Sequence, residues 1–135
     1  MSKEEYMQQS DKSFRDANDL IIGFLTKRGW LKDEKGSRSL AISLALEASE
    51  LLEHYQWHDK PIGSKDEVAS ELADVFIYGF QFAYANNIDI FDAITKKLEK
   101  QSKKYPVDVF NPNNKNDSGA WLKAKIAYSK KKDTL

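Results

Sequence analysis

The chain has 135 residues, with 21 basic and 21 acidic side chains and no cysteine. That length suits one domain. Zero net charge argues against bulk attraction to nucleic acid or an anionic membrane, and the missing thiols exclude disulfide frameworks, thiolate zinc sites, iron–sulfur clusters and cysteine nucleophiles. A polar N-terminus without an apolar run predicts no signal peptide, and the 14-residue apolar stretch Val75 to Ile88 is too short to span a bilayer. The expectation is a cytoplasmic protein with no membrane or nucleic-acid partner. The charge is uneven. Residues 1–95 carry 10 basic and 17 acidic groups, and residues 96–135 carry 11 and 4.

In chain order the periodicity is helical throughout and predicts an all-α fold with four core helices. Phe14, Ala17, Ile21 and Phe24 form the stripe of the first helix, which Gly29 stops. Ser2 with Glu5 has a capping-box pattern, and Ser10 is a second candidate cap. Residues 30–37 read as a polar loop. The second helix is expected from Ser39 to Trp57, with Leu40, Leu44, Ala48, Leu51 and Tyr55 on one stripe. Pro61 and Gly63 fall in the following break. Ser64 and Glu67 box the start of a third helix that runs to about Asn86. Beyond Leu72 it is apolar nearly all round, the signature of a helix buried by more than its own chain's neighbours. Asn86 and Asn87 make a turn. The fourth helix carries Ile90, Phe91, Ile94 and Leu98 and ends before Pro106. Residues 107–119 are turn-rich, and a short last helix is expected from Ala120 to Lys131. The expected division is a helical domain over 1–106 and a basic tail over 107–135.

Glu47 and Glu50 are three apart on the second helix, and Glu71 and Asp74 are three apart on the third. Residues at i and i+3 share a helix face, so each pair can aim two carboxylates at one point. The short connection makes the helices antiparallel, which sets the pairs against each other. Four converging carboxylates repel unless a cation compensates them. Oxygen ligands favour Mg²⁺, with Mn²⁺ as a substitute, and Mg²⁺ takes phosphate oxygens as further ligands. A di-iron bundle would need Glu-x-x-His pairs. Leu51 and Tyr55 stand three residues before His54 and His58, so that reading fails.

The strings ISLALEASELLEHYQW, EVASELADVFIY and KKLEKQSKKYP, in that order, resemble the MazG-like nucleoside triphosphate pyrophosphohydrolases, most of all the small dCTP pyrophosphatase-like branch. The resemblance spans about residues 14–107. It implies an all-α core that pairs as a homodimer or as a tetramer of two dimers. It also implies cleavage of a nucleoside triphosphate between the α and β phosphates, giving the monophosphate and pyrophosphate, as in sanitation of a nucleotide pool. By the same resemblance the metal ligands are Glu47, Glu50, Glu71 and Asp74. The pocket aromatics are Trp57 and Tyr78, and more loosely Trp30. The branch often has histidine near Ile21, Phe-His where this chain has LKDEKG, and asparagine at Gln101, so the base it takes is left open.

Glu47 and Glu50 are the candidates for the base that activates water. Lys97, Gln101 and Lys104 share a face of the fourth helix and read either as a wall for phosphates or as a solvated face; the resemblance adds weight to Lys104 and Tyr105. Arg38, ahead of the second helix, reads as a phosphate contact or a surface arginine. His54 reads as a surface or packing residue rather than a ligand. Trp121 either covers a partner's pocket or packs on its own domain. The alternatives to a dCTP-like substrate are dUTP and phosphoribosyl-ATP. A non-catalytic helical oligomerisation module is the alternative of a different class, and it would have no use for the acid quartet.

Overall fold

The structure is a computed structural model that describes residues 1–5, 14–114 and 118–133. Among these residues every regular element is helical. The α-helices are α1 (Phe14–Lys27), α2 (Ser37–Glu53), α3 (Lys65–Ala85), α4 (Ile90–Lys104) and α5 (Ser118–Asp133). Residues 3–5 add a helical turn, boxed by Ser2 and Glu5, whose side chains and backbone amides bond reciprocally. Ser10 lies outside the described residues. No described helix is long and apolar enough to cross a membrane. The chain forms two compact units, Met1–Ile90 and Phe91–Leu135.

In the first unit, α1 stops where the glycine predicts. Gly29 takes φ +64°, its amide donates to Thr26 at 3.1 Å, and the Trp30 amide donates to Leu25 at 3.0 Å. These two bonds make a Schellman motif, and the Trp30 ring closes it by an edge contact with Phe24. The same device ends α3. Asn87 takes φ 58°, its amide reaches Tyr84 and that of Ile88 reaches Ala83. Asparagine tolerates this left-handed conformation better than other side chains do.

The loop before α2 holds a 3₁₀ turn, Glu34–Gly36, capped by Asp33. This turn brings the start of α2 forward to Ser37, two residues before the expected Ser39. The far end also departs from expectation. α2 stops at Glu53, and residues up to Trp57 belong to the connection. His54 is the C-cap. The connection then folds back, because the Ile62 amide donates to the His54 carbonyl at 2.9 Å. Ser64 and Glu67 form the expected capping box and start α3.

α2 and α3 form an antiparallel helical hairpin. Its register is fixed at one end by Ser37 Oγ, which donates to Asn86 Oδ1 at 2.9 Å. At the other end the Gly63 amide donates to His54 Nδ1 at 3.2 Å. Leu25, Leu40, Phe80, Ala83 and Ala85 are the buried apolar side chains among the described residues. α3 is less covered than its composition suggests: Leu72, Phe76 and Tyr84 are exposed. Ala17 and Ile21 of α1 and Leu72, Phe76, Ile77 and Phe80 of α3 line an open apolar groove of about 480 Å³.

In the second unit, α4 runs to Lys104 and the Tyr105 amide bonds the Gln101 carbonyl at 2.7 Å. Phe91 and Leu98 on α4 are exposed. Tyr105 stacks on Trp121 of α5, with centroids 6.4 Å apart and planes at 10°, and meets the edge of Phe110 at 5.3 Å. α5 is longer than expected at both ends.

Candidate metal centre

The hairpin register puts the two acid pairs opposite each other. One carboxylate oxygen each from Glu47, Glu71 and Asp74 can be chosen so that all three lie within 4.8 Å of one another. All three residues are half-buried. Glu50, one helical step along, is exposed, and its negative charge acts on both Glu47 and Glu71.

The electrostatics record the crowding. Glu47 titrates above the ordinary carboxylate value because it is partly desolvated, and because Glu50, Asp74 and Glu71 add negative charge around it. Glu71 is raised by desolvation first, then by its contact with Glu50 and the charges of Glu50 and Asp74; His54 opposes the shift. Both shifts come from partial burial first and from the crowding of neighbouring carboxylates after it. A donor set of carboxylate oxygens suits a hard divalent cation such as Mg²⁺. The three oxygens are close enough together to share one ion, so the residues fit it.

Residues 42–118 match the family described as MazG-like. The chain belongs to the MazG-like family. A curated relative, dCTP pyrophosphatase 1 of Mus musculus, is 27% identical over 105 residues, covering 72% of this chain and 61% of its own length. The chain thus spans less than two thirds of that relative. A crystal structure of a pyrophosphatase from Archaeoglobus fulgidus DSM 4304 superposes with a TM-score of 0.53 and 35% identity, over 65% of this chain and 87% of the other. The all-α architecture agrees with this likeness.

The remaining candidate residues are dispersed over the MazG-like chain. Tyr78 is half-buried on α3, one turn after Asp74. Trp57 is not part of α2, although the sequence predicts a helix from Ser39 to Trp57. It lies in the α2–α3 connection and is 75% exposed. Trp30 is exposed at the end of α1, and Arg38 is exposed in the first turn of α2. Ile21 lines the apolar groove.

In the second unit Lys97 is exposed on α4, and Gln101, Lys104 and Tyr105 are half-buried. Lys104 Nζ lies over the rings of Tyr105 and Tyr128, at 5.2 and 5.6 Å from their centroids. Trp121 packs within its own unit, between Tyr105 and Lys125. Two residues that matter locally were not legible as such. The role of His54 as a loop tie and the need for glycine at position 63 depend on a contact between residues nine apart.

Proposed function

We propose that the chain is a nucleoside triphosphate pyrophosphohydrolase that depends on a divalent cation, Mg²⁺ foremost and Mn²⁺ as a substitute. Water adds to a phosphorus of the α–β anhydride, that P–O bond breaks, and the nucleoside monophosphate and pyrophosphate leave with the two protons of water distributed between them. The observation that carries this reading is the convergence of Glu47, Glu71 and Asp74, with Glu50 beside them, in a MazG-like chain.

Glu47, Glu50, Glu71 and Asp74 are the residues that would hold the cation. Bound there, it would supply the positive charge that neutralises the triphosphate and the developing pyrophosphate. Glu47, which is in the convergent group, or Glu50 beside it receives the proton of the attacking water. Trp57 and Tyr78 are assigned to the base and sugar, with Trp30 at the margin. Arg38, Lys97, Gln101, Lys104 and Tyr105 are assigned to the phosphates.

A dCTP-like substrate is favoured by the likeness to the mouse dCTP pyrophosphatase. A homodimer, or a tetramer of two such dimers, is favoured by the apolar groove and the exposed Leu72 and Phe76. A cytoplasmic role in keeping the nucleotide pool clean accords with that substrate.

The test is product analysis on a panel of deoxy- and ribonucleoside triphosphates, with Mg²⁺ and with chelator. Monophosphate and pyrophosphate in equal amounts, only with Mg²⁺, are the expected products. Release of orthophosphate, or turnover unaffected by chelator, would refute the reading.

A further inference from the structure

The connection between α2 and α3 is tied at one residue. His54 accepts the Ile62 amide at its carbonyl and the Gly63 amide at Nδ1, so residues 55–61 form a loop closed on His54. The large side chains of that loop give it little anchorage, since Trp57 and Ile62 are 75% and 69% exposed. Gly63 is shaped to the tie. A Cβ there would stand 2.7 Å from His54 Nδ1 and 2.9 Å from Glu67 Oε2. His54 follows Glu50 by one turn, and Glu67 precedes Glu71 by one turn. The tie therefore sits between the acid quartet and the loop that carries Trp57.

We propose that His54 is a positioning residue whose imidazole holds the 55–63 loop closed, so that Trp57 is set in place for the nucleobase of a substrate held at the carboxylates. This rests on the pyrophosphohydrolase reading above. His54 is given no part in holding the cation or the phosphates. Its contribution is to remove the freedom of a loop that would otherwise have to be ordered each time nucleotide binds. Loss of the tie should thus weaken nucleotide binding and leave cation binding alone.

The experiment compares the full-length wild type with His54→Ala and His54→Asn. Asparagine keeps an acceptor near the place of Nδ1. Three quantities are read: KM and kcat on the best deoxynucleoside triphosphate with Mg²⁺, Mg²⁺ affinity by calorimetry without nucleotide, and amide exchange at Ile62 and Gly63. His54→Ala should raise KM about tenfold with kcat within about threefold, as expected for one lost hydrogen bond. Its Gly63 amide should exchange about tenfold faster or more, with Mg²⁺ affinity unchanged. His54→Asn should restore both KM and exchange. An unchanged KM in His54→Ala, a parallel loss of Mg²⁺ affinity, or a folded His54→Asn that restores neither would overturn the role of His54. If His54→Ala fails to fold, His54→Asn and the wild-type exchange rates decide it: a Gly63 amide as labile as those of Gln56 and Trp57 refutes the tie. A wild type that neither binds nor cleaves any Mg²⁺–nucleoside triphosphate overturns the underlying reading, and with it the proposal.

Discussion

Ser37 and Asn86 are 49 residues apart in sequence and joined by a single 2.9 Å hydrogen bond between their side chains. The bond links the first residue of α2 to the cap of α3, and Asn86 Nδ2 continues to the Phe82 carbonyl. It thereby fixes the sliding register of the hairpin at the end remote from the loop. Ser37→Ala leaves the half-buried Asn86 oxygen without this donor and should cost about 1–2 kcal/mol. Chemical denaturation measures that cost. An unchanged midpoint would show that the register is held elsewhere.

The acid quartet predicts a split between function and stability. Glu71→Gln or Asp74→Asn should lower turnover more than about 100-fold, because each removes a charge that the proposed cation site depends on. The same variants in chelator should melt at or above the wild-type temperature, since each relieves repulsion within the cluster. Near-normal Mg²⁺-dependent turnover in either variant would sink the assignment of the site.

The titration behaviour gives a pH dependence with a definite sign. Glu47 and Glu71 are raised above 4.5 in the folded protein. Between 4.5 and their folded values the native state binds more protons than the unfolded chain, so stability without metal falls as pH rises through that window. Their penalty is absent below the window and fully present above it. Glu67 behaves oppositely. Bonds from Ser64 hold it below 4.5, so its stabilising contribution is present above 4.5 and fades as pH falls through its folded value. Melts in chelator should show both limbs. Saturating Mg²⁺ should abolish the upper limb, and a Glu67→Gln variant should lose the lower one. A metal-free protein whose stability rises steadily from 4.5 upward would contradict the site's electrostatics.

Gly63 is predicted to tolerate no side chain while His54 is present. Gly63→Ala should cost about 1–3 kcal/mol through the forced shift of the imidazole and of the Glu67 carboxylate. In the double variant with His54→Ala the two costs should fall short of their sum, because the smaller residue vacates the space. Strict additivity would show that the contact is not the source of the cost.

Much of this arrangement was legible because it is local. The i, i+3 spacing of Glu47 with Glu50 and of Glu71 with Asp74 sets a shared face wherever a helix forms. The Ser64–Glu67 box and the Gly29 and Asn86–Asn87 stops are written in adjacent residues. The end of α2 was not legible. Leu51, Tyr55 and Trp57 continue an apolar pattern, and the break comes where His54 finds partners at Ile62 and Gly63, a contact no periodicity contains. The exposure of Leu72 and Phe76 was hidden for a related reason. An all-round apolar helix reports that burial is needed, and says nothing of which molecule provides it. The sequence left Trp121 between a partner's pocket and its own domain, because its stacking on Tyr105, near Lys104 and Tyr128, spans a turn-rich segment that has no period.

A second copy seated on the α1–α3 groove would make dilution a variable of folding. Among the described residues only five apolar side chains are buried, so association could bury much apolar surface that the single chain leaves exposed. If a second copy covers that surface, the melting temperature climbs with protein concentration and the folded fraction at low abundance is set by mass action. Expression level would then govern how much working protein there is more steeply than in direct proportion.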